Sequence, residues 1–402
     1  MSTWVDSSII LGFSGYCYLF GYDALWIAIP TSIGIYSFSI FFVKKINKMK
    51  EAFTVSSILE KAYGKDISVI SSFFVLLYSI TLISTNIMAA GHIMHVIVGV
   101  PYIFGASFVL FVAVFYTILG GFRKVVETDI IQFFFVIFGL LFVSVFSLRA
   151  VGGWSIIKEE ALLHSGAFSV SDIISFFIIF TFSFWANPSF YQRCSAAKSP
   201  KVASIGVATV GLIDFAMTIA ALVVGLSGTV ILGNNMLPDT VFLQVIKSVL
   251  PRGIRELAGL AVLSAVISTE DSYLLISGGI IAHDILRPLS SSVSFDEVKI
   301  TKIGIIFCAL LSLLGTLWFD NIIEMAAFAF SLFISSNLIP LVFAFYSHNA
   351  HSYKWPALGS MVGGGTSVIL WKVANWGDAY TSVIFGLLVS VVSWILICKF
   401  KN

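Results

Sequence analysis

The chain alternates long apolar runs with short clusters of charge. Twelve runs stand out, at residues 7–22, 24–43, 67–98, 102–119, 128–148, 173–190, 203–232, 257–286, 303–319, 322–346, 357–371 and 379–398. Within each, apolar residues follow one another continuously instead of alternating with polar ones. That pattern predicts helices and argues against the strands of a barrel. Most runs approach the roughly 20 residues that a helix needs to cross the hydrocarbon core. The first is short, and several exceed 25 residues, which predicts tilt or extension past the bilayer. The expected fold class is an all-α membrane protein of about twelve transmembrane helices, and the loops leave no room for a sizeable soluble domain.

Composition sharpens this. Of 402 residues 58% are apolar and 11% charged, against about 25% charged in ordinary soluble domains. Mean hydropathy is +1.00. So few charges cannot cover a soluble surface, which excludes a soluble enzyme, a nucleic-acid binder and a disordered chain. Helices fit because lipid forces every backbone polar group to find its partner internally. The net charge of +2 argues against a polyanionic partner. Cys17, Cys194, Cys308 and Cys398 form no C-x-x-C pair, so neither a disulfide framework nor a zinc site is indicated.

The basic residues orient the chain. Seventeen of the 23, Arg193 among them, fall on one set of alternate loops together with the C-terminus. Basic loops stay inside, so the C-terminus is expected in the cytoplasm, in a multi-pass protein of a prokaryotic plasma membrane. The chain is apolar already at Ile9 with no basic region before it, unlike a signal peptide. It reads as starting within a span, so a leading piece is expected to be missing.

Ionisable and polar groups inside spans cost about 2.5–3.5 kcal/mol each on insertion scales, which makes them functional suspects. Four places stand out. Residues 2–15 combine Asp6, several serines, Gly12 and Gly15. This is either backbone that unwinds around a ligand or a water-exposed tail. At 184–193, Pro188 between Asn187 and Ser189 marks a broken helix or an ordinary kink. Paired broken helices in two halves of a chain point to a transporter's binding site. In 265–275, Ser268 and Thr269 supply hydroxyls and Glu270 and Asp271 carboxylates. Hard oxygen donors suit a small alkali cation, although hydroxyls can also bond back to their own helix. Asp129 and Asp214 complete the set; Asp129 alone could be a helix-start residue, whereas Asp214 lies mid-span and needs a proton, a cation or a partner. Glu324 reads as interfacial.

Enzyme signals are weak. Ser195 and Lys198 have a hydrolase spacing in a basic loop. His92 with His95, and His348 with His351, lack an evident third metal ligand. No phosphate-loop motif is present, so ATP-driven transport is not expected.

Several ordered stretches resemble the sodium/solute symporters, the family of sodium–proline, sodium–pantothenate and sodium–sugar carriers. They are TVSSILEKAYG at 54–64, TILGGFRKVVETDIIQ at 117–132, YQRCSAAKS at 191–199, and ISTEDSYLL followed by HDIL within 267–286. The resemblance covers essentially the whole chain. Members typically have thirteen spans, so it implies that the leading span and half of the next are absent. It implies two inverted five-helix repeats with two broken helices, at 2–148 and 173–346, and two peripheral spans at 357–398. It further implies a sodium site formed by carbonyls of Ser2, Val5 and Ala265 and hydroxyls of Ser268 and Thr269, with Asp129 in sodium coupling. Asp214 stands where sugar-transporting members have a lysine that contacts substrate, and Ser183 where they have a gating tyrosine. Both departures argue against a sugar. Asp6 and Asp214 near the expected cavity favour an amine-bearing solute, with Trp185 and Asn187 as further substrate contacts. Sodium is the expected coupling ion, with no other cofactor. The expected partners are the solute, sodium and the bilayer, with no nucleic acid and no obligate protein. The rival readings are a proton-coupled carrier of the same fold, with Asp214 or Glu270 titrating, and a non-functional truncated fragment.

Overall fold

The computed structural model describes residues 6–48, 54–233, 235–287, 296–347 and 349–401. Ser2 and Val5, two of the expected sodium ligands, lie outside the described residues. Every regular element among the described residues is helical. A π-helical turn at Ser8–Gly12 leads into α1 (Phe13–Phe20), followed by α2 (Leu25–Phe41), α3 (Val43–Lys48), α4 (Val55–Tyr63) and α5 (Lys65–Ile93). Helices α6 (Tyr102–Gly121) and α7 (Lys124–Ala150) meet at Gly121, whose φ of 61° breaks an otherwise continuous run. Then come α8 (Trp154–Leu163), α9 (Val170–Ala186), α10 (Pro188–Ala196), α11 (Pro200–Leu232), α12 (Val241–Val249) and α13 (Ile254–Gly279). The last four are α14 (Glu297–Gly315), α15 (Ile322–Tyr346), α16 (Lys354–Val373) and α17 (Ser382–Lys401).

Ten helical stretches are long and apolar enough to cross a membrane. The twelve apolar runs of the sequence differ from these in two places. Ser8–Phe41 counts as one stretch although it holds both α1 and α2. The twenty-residue α16 is not among the ten. Its glycines and two lysines lower its hydropathy, yet the glycines also let it press on α15, where a Cβ at Gly364 would collide with the Ser335 carbonyl. The short helices α8 and α12 were not foreseen.

Local sequence sets the helix starts. Thr54 and Ser57 form a reciprocal capping box at α4, with both bonds 3.0 Å long. Ser169 and Asp172 do the same at α9. Ser199 caps α11, with Pro200 at its first position. Small residues set the crossings. Gly34 of α2 lies against the Thr181 carbonyl of α9, and Gly225 of α11 against the Ser14 carbonyl of α1. Helices α1, α2, α9 and α11 therefore pack as one group, while α5, α7, α13 and α14 pack as another. The most apolar window of α13 with its π-helical continuation to Leu286 is 72% buried, against 28% for those of α7 and α14. The inner helices therefore carry the polar residues, and the outer ones face lipid.

One expectation for the first span changes. From Ser8 to Phe20 the backbone is helical, π then α, and not unwound. A Cβ at Gly12 would meet Ile323, and one at Gly15 the Pro238 carbonyl. Here the glycines permit close packing.

Candidate functional site

A cavity of about 40 Å³ lies between the two helix groups, lined by Asp6, Phe13, Thr31, Phe180, Tyr273 and Phe330 among others. Its lining, mostly apolar with a few convergent polar groups, has the chemistry of a small-molecule site, but at this volume it has room for only a few waters. Asp6 stands at its edge and starts the first helix. Its Oδ1 accepts the backbone N–H groups of Ser8 at 2.9 Å and Ile9 at 3.3 Å. The carboxylate thus satisfies donors at a helix N-terminus while its charge faces the cavity. Thr31 donates back to the Ile27 carbonyl at 2.7 Å. The hydroxyls of Tyr273 and Tyr78 are 3.2 Å apart and tie the cavity wall of α13 to α5.

A helix break lies at Asn187. Helix α9 stops at Ala186, Asn187 takes an extended conformation with ψ of 111°, and α10 begins at Pro188. The Asn187 Oδ1 accepts the Ser189 N–H at 2.9 Å. Proline at the first helical position removes a donor that would have been unsatisfied anyway. The break expected from 184–193 is therefore present.

Of the five expected substrate residues, only Asp6 lines the cavity. Ser183 donates to the Phe180 carbonyl at 3.0 Å, within its own helix. The Trp185 indole N–H donates to Ser37 at 2.9 Å, and its ring packs 4.5 Å from Phe42. Asn187 is occupied as the cap. Asp214 is buried in α11 one turn before Thr218, and it is Thr218 that reaches the cavity.

Ala265, Ser268 and Thr269 are fully buried on α13. Ser268 Oγ donates to Asp129 Oδ1 at 2.5 Å. Asp129 Oδ2 pairs with Arg193 Nη2 at 3.1 Å, and the same nitrogen lies 3.4 Å from Ser272 Oγ. The resulting network joins α7, α10 and α13. Its buried hydroxyls are hard oxygen donors of the kind a small alkali cation takes. Arg193 and Ser272 were missed as site residues. Arg193 counted toward loop charge and the YQRCSAAKS stretch but was given no site role, yet it sits on α10 and pairs with Asp129. A buried aspartate that needs a cationic partner, with an arginine 64 residues on in the helix that follows a break, is the signal that could have found it.

Glu270 and Asp271 are also fully buried, and all four carboxylate oxygens lack a hydrogen-bond partner among the described residues. The four cysteines are free. No three His, Cys, Asp or Glu gather as a metal-binding group among the described residues.

The chain is 24% identical over 421 residues to the high-affinity proline transporter PutP of Bacillus subtilis, covering 98% of this chain and 86% of that protein. It is 26% identical to the sodium/pantothenate symporter of Haemophilus influenzae, covering 86% of this chain and 75% of the relative. Its fold matches that of a Na+-coupled sialic acid symporter in a substrate-bound outward-open state, with a TM-score of 0.74 at 18% identity over 99% of this chain and 88% of the other. The profile of the sodium:solute symporter family matches residues 1–364, and the chain belongs to that family.

Proposed function

We propose that the chain couples inward movement of sodium to uptake of a small organic solute bearing an amine. The observation that carries this reading is the buried layer in which the α13 hydroxyl of Ser268 meets Asp129 beside Thr269. Sodium would be held there by the hydroxyls of Ser268 and Thr269 and the carbonyl of Ala265, completed by carbonyls of Ser2 and Val5. Asp129 would link that ion to α7 and α10. The solute would occupy the cavity at Asp6, whose carboxylate suits an ammonium group. Ser183, Trp185, Asn187 and Asp214 would then act on the solute only in another conformation of the cycle. The repeats at 2–148 and 173–346 would rock about the site, with 357–398 peripheral and the C-terminus in the cytoplasm of a prokaryotic cell. The relatives' names, proline and pantothenate carriers, support a small metabolite as cargo.

The driving force suffices. One sodium crossing about 100 mV releases roughly 2.3 kcal/mol, and a tenfold gradient adds about 1.4 kcal/mol. Together these concentrate a neutral solute several-hundred-fold. A ligand shifts the alternating-access equilibrium only by its differential affinity for the two states, so sodium must bind one state better.

The test is sodium-gradient uptake into proteoliposomes against labelled amino acids, carboxylates, vitamins and sugars. The double variant Ser268→Ala, Thr269→Ala should raise the sodium concentration for half-maximal uptake at least about tenfold, the worth of one lost contact of about 1.4 kcal/mol. Unchanged sodium dependence would overturn the site. A second reading, proton coupling, is favoured by the unpartnered Glu270 and Asp271 carboxylates. Uptake that follows the proton gradient at fixed sodium, and not the sodium gradient at fixed pH, would establish it instead.

A further inference from the structure

A larger cavity, about 550 Å³, opens on the outside of the bundle between α5, α14 and α15. Its walls include Leu77, Leu314, Trp318, Phe319, Met325 and Phe328. Two hydroxyl side chains, Thr81 and Ser84, also line it, and both are committed to backbone carbonyls. Thr81 donates to Leu77 at 2.9 Å, and Ser84 reaches Ile80 at 2.9 Å and Ser312 at 2.7 Å. Apart from the Trp318 indole N–H, the rest of the lining is apolar, so burying a polar solute or ion there would be costly. The lining suits an apolar occupant. The cavity borders the lipid-facing side, since Leu314 is 61% and Leu317 73% exposed. The rings of Phe319 and Phe328, 5.3 Å apart, form part of its wall.

One end is chemically different. The Lys372 ammonium lies 4.3 Å from the centroid of Phe319, and Lys372 belongs to no ion pair among the described residues. Asp320, beside Phe319 in sequence, is exposed and forms no ion pair with Lys372 among the described residues. Trp371 and Trp376 stack edge-on nearby in the chain, 6.0 Å apart, and Trp318 lies at the same end of α14. Indoles of this kind mark the headgroup level of a bilayer. From there the cavity runs inward along α5, from Ser84 to Leu77, about two helical turns or roughly 10 Å.

We propose that this cavity holds an acyl chain of an anionic phospholipid whose phosphate is held by Lys372. The chain fills the apolar groove, and the single unpaired cation at its mouth selects the headgroup. The lipid would bear on α5 and α15, two helices that also support the central cavity through Tyr78 and through Ile323 and Phe330.

The experiment uses the full chain in vesicles of phosphatidylcholine doped with either phosphatidylglycerol or phosphatidylcholine carrying brominated acyl chains. Tryptophan emission is compared between the chain and its Trp318→Phe variant, so that the difference reports Trp318. Brominated phosphatidylglycerol should quench that component at about fivefold lower mole fraction than brominated phosphatidylcholine, as expected for one lysine near an anionic headgroup. Lys372→Gln should remove the preference while leaving quenching by phosphatidylcholine. Thr81→Phe, which fills the groove from a lipid-facing position, should weaken quenching by both. Equal quenching by the two lipids overturns the proposal, as does a preference that survives Lys372→Gln or quenching untouched by Thr81→Phe.

Discussion

At the head of the first helix, the Asp6 carboxylate receives the N–H groups of Ser8 and Ile9. At the head of α10, the Asn187 amide oxygen receives that of Ser189. Both caps satisfy orphan donors in the same way. They differ in charge and in surroundings. Asp6 faces the central cavity and forms no ion pair among the described residues. The cap of α10 is neutral, and the charge that helix carries, on Arg193, is matched by Asp129 3.1 Å away. The first helix start therefore presents a charge to the cavity. The other has its charge closed within the protein, in an ion pair that joins α10 to α7. In the proposed cycle the first charge would serve recognition and the second coupling.

The largest effect should come from removing the open charge. Asp6→Asn keeps a capping oxygen and deletes only the charge. Loss of a charge-assisted hydrogen bond of about 1.5–3 kcal/mol should raise KM for an amine-bearing solute about ten- to hundredfold. Uptake of a competing neutral solute should hardly change. If both fall together, Asp6 serves the helix and not the ligand.

Opening the closed charge comes next. Arg193→Gln leaves Asp129 without its counter-ion. Breaking a fully buried pair costs about 3–5 kcal/mol, but these side chains retain 26% and 11% exposure. A loss of about 1–3 kcal/mol is expected, read as a lower unfolding midpoint in detergent. Adding Asp129→Asn should recover part of it. Strictly additive losses would show that the two residues act independently.

Asn187→Ala should be milder, about 1 kcal/mol, the ordinary worth of an N-cap. It should appear as faster hydrogen exchange at Ser189 and Phe190, with Asn187→Ser restoring protection. Equal exchange in all three would mean that Pro188 alone holds the break.

Much of this comparison was legible in the chain. All twelve apolar runs became helices, because continuous apolar sequence in lipid leaves the backbone no other partner. The second break was legible because Pro188 cannot donate and Asn187 can cap. Ser268 and Asp129 were legible through the family resemblance, and they do meet. The cavity lining was not. Phe13, Phe180 and Phe330 are apolar residues within apolar spans, and nothing local distinguishes the face that turns to a cavity from the face that turns to lipid. The direction of Arg193 was hidden for the opposite reason. Beside a basic loop, an arginine on the last turn of a short helix looks like one more orienting charge. The short helix α12 was obscured by being amphipathic and only nine residues long.

A third capping side chain, Asp239, separates what charge does for a helix from what it does for a ligand. Asp239 lies in the loop between α11 and α12, outside the membrane spans and away from the central cavity. Its Oδ2 accepts the Ile322 N–H at 2.9 Å, at the start of α15. Burial pushes its carboxyl up to about 7, with nearby Glu324 adding to the shift and the Ile322 N–H opposing it. The folded protein thus holds a proton there that the unfolded chain has already released above the usual carboxylate range. Stability must therefore fall as pH rises toward and through that value. For one such proton the change between about pH 6.5 and 7.5 is under about 1 kcal/mol, the smallest effect of the series. Asp239→Asn should flatten this part of the unfolding profile while leaving solute KM unchanged, the reverse of what Asp6→Asn does. A variant that instead altered KM and kept the pH slope would place Asp239 with the ligand-facing charge and erase the distinction.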